Sequence, residues 1–141
     1  MKTPDRKNLS FDHVHYRSSN FTETRNFYVN IMGGVELPNE ELGGNENLHI
    51  ELGGVTLLFI LSSKPHKAVS AIKRLGAYHI AFLVENLKKA TAYYSKVKKA
   101  KIAIPQKRYS DTIIATFLQA PDGMLIELKQ IKPRPKKKKK S

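Results

Sequence analysis

Two stretches decide the fold: His13-Val-His-Tyr-Arg-Ser-Ser-Asn20-Phe21 and His79-Ile-Ala-Phe-Leu-Val-Glu-Asn86-Leu87. Each opens on a histidine inside an apolar, strand-like run and reaches an asparagine seven residues later. Each then enters a helical pattern carrying an aromatic pair, Phe27-Tyr28 in the first and Tyr93-Tyr94 in the second. Histidine, asparagine, hydrophobe and aromatic pair all keep an offset of 66 residues (13 to 79, 20 to 86, 27 to 93). Agreement of several features at one offset marks an internal repeat.

Working outward from these stretches, both halves read strand, helix, strand, strand, strand. In the first half, alternation predicts a strand over 11–17, with His13, His15 and Arg17 on one face. Asn20 is suited to cap a helix over 22–32 that Gly33-Gly34 ends. Residues 35–37 form a short strand stopped by Pro38, and 38–47 read as a loop. Residues 48–52 and 55–61 make a hairpin about Gly53-Gly54. A basic connector over 62–75 carries at most a helical turn. In the second half, strand 76–84 leads to a helix capped by Asn86 and running through Lys99. A short strand over 102–104 is expected to end at Pro105, and 106–111 is expected as a loop. Strands over 112–118 and 124–130 flank the turn Ala120-Pro-Asp-Gly123.

The length of 141 residues fits one domain over 10–131, with module 1 at 10–62 and module 2 at 76–131. Residues 1–9 are expected as a flexible N-terminus, too polar for a signal peptide, and no apolar run approaches a membrane span. The chain has no cysteine, which excludes disulfides and thiolate metal sites and makes the cytoplasm the default location. The formal charge is +13, and seven of those charges fall in residues 132–141. That Lys-rich segment is expected as a disordered, solvated tail, able to touch polyanions weakly and without specificity. The body shows neither a recognition-helix pattern nor basic residues interleaved with aromatics, so the charge is assigned to the tail.

The chemistry-bearing residues follow from the repeat. Four residues after each hairpin glycine lies Leu58 in the first half and Glu127 in the second. Glu127 stands alone among Met124, Leu125, Ile126 and Leu128, where an unpartnered carboxylate is costly to bury. If the two halves close a cleft, the first and last strands of each point into it, and His13, His79 and Glu127 converge. Two imidazoles and a carboxylate suit a divalent metal and leave part of its coordination open to substrate. Taken singly, each is as readily an ordinary strand residue. His15 shares the face of His13, either as an acid–base group or as filling. His49 and Glu51 face either the cleft, as a general base, or solvent. Lys107, Arg108 and Tyr109 lie where a lid would hold an anionic substrate, or in a solvated loop.

The motifs His13-Val-His-Tyr, Asn20-Phe21, Asn26-Phe-Tyr28 through Gly33-Gly34, Tyr78-His-Ile-Ala-Phe with Asn86-Leu87, and Ala120-Pro-Asp-Gly-Met-Leu-Ile-Glu-Leu128 resemble the vicinal oxygen chelate superfamily. This is the group of glyoxalase I, methylmalonyl-CoA epimerase, extradiol dioxygenases and fosfomycin and bleomycin resistance proteins, and the likeness spans roughly residues 10–130. The resemblance implies an α+β fold of two pseudo-symmetric βαβββ modules forming a half-open barrel cleft, usually in a homodimer. It implies metal ligands at His13, His79 and Glu127 for one divalent ion (Fe, Mn, Co, Ni or Zn), with His15 the acid–base candidate. His49, Glu51, Lys107, Tyr109 and Phe117 are then the candidates for contact with substrate. Leu58 occupies a position where glyoxalase I and the epimerase commonly place a fourth ligand, and Phe117 one where a tyrosine is frequent. The expected activity is that of a metal-dependent isomerase, lyase or ring-cleaving dioxygenase acting on a small oxygen-chelating substrate. The alternative is a metal-free protein that sequesters a ligand in the manner of bleomycin resistance.

Overall fold

The computed structural model describes residues 9–38, 41–42, 45–62 and 67–134. The N-terminal segment before residue 9 and most of the expected tail, from 135 onward, lie outside the described residues. Among the described residues nine strands run in chain order: β1 (Val14–Ser18), β2 (Val35–Leu37), β3 (Glu41–Leu42), β4 (Asn45–Leu52), β5 (Val55–Leu61), β6 (His79–Leu83), β7 (Ile102–Arg108), β8 (Ile113–Gln119) and β9 (Leu125–Ile131). Helix α1 (Phe21–Arg25) follows β1, and α2 (Leu87–Ala92) follows β6. The strands form two mixed sheets, ordered β1-β5-β4-β2 with β3 on β4, and β6-β9-β8-β7. In each sheet the first strand runs parallel to the last. Neither sheet closes into a barrel.

The repeat extends to details that sequence identity alone does not guarantee. The Asn20 side chain accepts from the Glu23 amide at 3.1 Å, and Asn86 accepts from the Lys89 amide at 2.9 Å. Both helices then loosen into a π-helical turn, over Asn26–Ile31 and Tyr93–Val97. Each turn carries its aromatic pair edge to face, Phe27 on Tyr28 at 4.9 Å and Tyr93 on Tyr94 at 5.2 Å between centroids. The first hairpin turns on Gly53 and Gly54, both left-handed with φ of 57° and 84°, a backbone that excludes most side chains.

Alternation along the strands gives each sheet two faces. One face from each packs into a common core that joins Leu48, Ile50, Leu57 and Phe59 to Leu118, Ile126 and Leu128, with Tyr28 and Leu87 added by the helices. Gly34 lets this core close, because a Cβ there would stand 2.7 Å from the Ile50 side chain and from the Tyr28 carbonyl oxygen. Burial also pushes the Tyr28 phenol well above its ordinary range. The other, more open face of each sheet carries the candidate functional residues, and on the second sheet Ala71 packs there against Phe117 and Leu125.

Three expectations are corrected. The first strand begins at Val14, so His13 precedes it. Residues 45–47, expected as loop, belong to β4, which pairs with β3. The strand expected to stop at Pro105 continues to Arg108, so Lys107 and Arg108 sit on a strand and not in a lid. Pro105 is tolerated because β7 is the sheet edge and its register shifts between Ile104 and Lys107, where a missing N–H breaks no ladder.

Candidate functional site

On the second sheet, parity brings His79 and Ala81 of β6, Leu125 and Glu127 of β9 and Phe117 of β8 to the open face. Glu127 lies directly across from Ala81 on one side and from Phe117 on the other. His79, one strand position pair away, reaches diagonally so that Nε2 stands 2.8 Å from Glu127 Oε2. Both side chains are sheltered, with exposures of 26% for His79 and 13% for Glu127. Their walls are aromatic: the His79 ring meets Tyr78 at 4.8 Å and Phe117 at 5.0 Å, and Phe117 meets Tyr109 at 6.3 Å. The other ring nitrogen, His79 Nδ1, is buried without a hydrogen-bond partner among the described residues. A carboxylate and an imidazole nitrogen thus converge in a half-buried, ring-lined setting, which is a donor pair suited to a divalent ion.

The first sheet shows a different open face. His15 of β1 pairs with Leu58 of β5, which pairs with His49 of β4. The neighbouring row holds Thr56 opposite Glu51. His49 Nε2 lies 3.0 Å from Glu51 Oε1, and the Thr56 hydroxyl donates to the same oxygen at 2.6 Å. The Thr56 hydroxyl first, and His49 second, hold the Glu51 carboxyl below its ordinary range. His13 stands beside this face, with Nδ1 2.5 Å from Asp12 Oδ2 and its ring 6.0 Å from that of His15.

The registers show that the two faces correspond. The 66-residue offset carries His15 to Ala81, and the partners of those residues are Leu58 and Glu127. Their next neighbours, His49 and Phe117, are equivalent in the same way. Within one chain, however, His79 and Glu127 meet while His13 does not join them, and no group of three His, Asp or Glu among the described residues is placed to hold a metal. The chain's main core uses the opposite faces of both sheets, and on the second sheet Ala71 of the connector packs over Phe117 and Leu125.

Lys107 and Tyr109 also stand together, with the lysine nitrogen 5.3 Å from the ring centre. Three contributors do not stand out in the sequence. Tyr78 walls His79, and only its adjacency to that residue hints at it. Thr56 shares the alternation of Leu58, which is the one signal that marks it. Asp12 is an exposed neighbour of His13 with no pattern to mark it.

Paired βαβββ modules define a class of proteins, and comparison places the chain within it. A family model for the Glyoxalase/Bleomycin resistance protein/Dioxygenase superfamily matches residues 10–128, and the chain belongs to that superfamily. Among solved structures, it is similar to a glyoxalase family protein from Enterococcus faecalis, with 26% identity, 87% of this chain and 98% of that one covered, and a TM-score of 0.72. A glyoxalase/dioxygenase from Nostoc punctiforme shares the fold at 20% identity over 94% and 99% of the two chains, with a TM-score of 0.73. A genomically encoded fosfomycin resistance protein, FosX, from Listeria monocytogenes shares it at 16% identity over 86% and 93%, with a TM-score of 0.64. No functionally curated protein matches the sequence.

Proposed function

We propose that this chain is a metal-dependent enzyme acting on a small substrate that offers two neighbouring oxygens, its site built on His79 and Glu127. The observation that carries this reading is the 2.8 Å approach of His79 Nε2 to Glu127 Oε2 inside a ring-lined face. His13 of a second copy is the third ligand, so a homodimer is the working form. Charge favours such a pairing. Residues 10–62 hold two arginines against seven carboxylates, a formal −5, while residues 76–131 hold nine lysines and arginines against four carboxylates, a formal +5. Module 1 of one copy is therefore electrostatically complementary to module 2 of another.

When bound, the ion supplies Lewis-acid polarisation of the two substrate oxygens. The chain's own residues do the rest. Tyr78, Phe117 and Tyr109 exclude water from one side of the donor pair. On the facing module, Leu58 presents a methyl surface where Glu127's equivalent would otherwise donate. Beside it, Glu51 is held ionised by Thr56 and accepts a hydrogen bond from His49 Nε2–H, leaving Nδ1 as the acceptor atom for a substrate proton. His15 lies in the same row and serves as a further proton donor. Isomerase, lyase and ring-cleaving chemistry all use this combination of a polarised oxygen pair and a nearby base.

Elemental analysis of the purified chain beside a His79→Ala variant tests the reading. A transition metal close to one per chain, lost in the variant, supports it. Absence of any metal after reconstitution with each candidate ion would leave a ligand-sequestering cleft as the better account.

A further inference from the structure

The second module carries a charged surface that the candidate site does not use. Lys88, Lys89, Lys96, Lys98, Lys99 and Lys101 fall within α2, its π-helical turn and the residues just beyond, and the nearest carboxylate in sequence is Glu85. No ion pair among the described residues engages any of the six. Helical spacing sorts this segment into two faces. Leu87, Ala90 and Tyr94 turn inward to the core beside β8 and β9. Lys88, Lys89, Lys96 and Lys99 turn outward, all exposed. They form a rib of one sign, with Lys88 and Lys89 in the first turn of α2, Lys96 in the π-helical turn and Lys99 just past the helix end. Tyr93 lies on the same outward side, 45% exposed, with the Lys98 ammonium 5.9 Å from its ring centre.

We propose that this rib binds single-stranded nucleic acid through its phosphates. Two lysine pairs, Lys88 and Lys89 and then Lys96 and Lys99 about two turns further on, offer point charges to a strand's backbone, and an exposed tyrosine between them offers a face on which a base can stack. A membrane fits less well. Leu87, Ala90 and Tyr94 are committed to the core, and the exposed Val97 and Tyr93 make no continuous apolar stripe to enter a bilayer. The surface is also independent of the candidate metal site. Leu87 packs with Ile126 and Leu128 on one side of the second sheet, while Glu127 occupies the other.

Fluorescence anisotropy with a labelled oligothymidylate of about twenty nucleotides, repeated across a salt series, tests the inference on the full chain. Two variants are compared with the natural sequence: Lys88→Ala, Lys89→Ala, Lys96→Ala and Lys99→Ala together, and Lys136→Ser through Lys140→Ser together. Circular dichroism melts verify that both fold. The rib variant is expected to bind at least about tenfold more weakly. Its salt slope should fall by about 0.7 for each phosphate it no longer neutralises, so by about 3 at most. The tail variant is expected to keep a salt-dependent affinity that the rib change then removes. Unchanged affinity and slope in the rib variant would overturn the proposal, leaving the tail as the binding element. Binding to vesicles rich in phosphatidylserine without binding to the oligonucleotide would also overturn it.

Discussion

The two modules share a scaffold and differ in chemistry. An asparagine cap, a π-helical turn, an edge-to-face aromatic pair and a parallel pairing of first and last strands recur in both. At equivalent positions on the open faces, Leu58 and His49 of the first module stand where the second has Glu127 and Phe117. One module therefore offers a histidine–carboxylate couple in an aromatic setting, and the other a histidine–carboxylate pair beside an aliphatic surface. The lesson is that a symmetric frame supports an asymmetric site, because backbone positions are fixed by capping and packing while open-face residues are not.

The comparison breaks most severely in the core, where both modules must behave alike. Leu57 and Ile126 are equivalent, fully buried and in one cluster. Leu57→Ala and Ile126→Ala should each cost about 3 kcal/mol, and each should lower a single cooperative melting transition. Two transitions, with each variant moving only one, would mean that the modules fold separately.

Next in size is the difference between the open faces. His79→Ala should weaken metal binding by more than about 100-fold, beyond the effect usual for residues that merely support a ligand. His15→Ala should weaken it by less than about tenfold, because His15 supports no ligand directly. Competition against a metal chelator measures both, and equal losses would erase the distinction. Smaller still, Asn20→Ala and Asn86→Ala should each cost about 1 kcal/mol in chemical denaturation and add in the double variant, since the two caps serve the same role in separate places.

The smallest effect concerns the Glu51 network. Its carboxyl is held below the ordinary carboxylate range, so the stabilisation is present above the unfolded value and is lost as pH falls through the folded one. Thr56→Val removes the first cause of that shift and should raise the Glu51 titration midpoint, followed by NMR of the side-chain carboxyl. An unmoved midpoint would show that the hydroxyl does not bond the carboxylate in solution.

Much of this frame is legible in the residues. His13, Asn20 and Phe27-Tyr28 repeat at His79, Asn86 and Tyr93-Tyr94 because caps and aromatic packing need particular side chains, so the repeat survives as identity. Glu127 stands out because a carboxylate in an apolar strand demands a partner, and His79 supplies one. The extension of β7 past Pro105 is not legible, since proline ends an interior strand and only the sheet order reveals that this strand is an edge. Nor is the separation of His13 from His79 and Glu127, which depends on which sheet faces form the core. Alternation shows that a strand has two faces but not which of them another module will cover. The lysine rib is hidden for a related reason: along the chain the tail dominates the charge, and the rib emerges only around the helix.

Subunit complementation tests the central claim most directly. His13→Ala and Glu127→Ala variants, each expected to lack metal alone, are mixed, dissociated and reassembled, and metal per chain is then measured. If His13 of the partner subunit completes each site, random pairing makes half of the dimers mixed, and each mixed dimer holds one undamaged site of two, which restores about a quarter of the natural content. No recovery in reassembled mixed dimers, or full metal retention in the His13→Ala variant alone, would contradict the account.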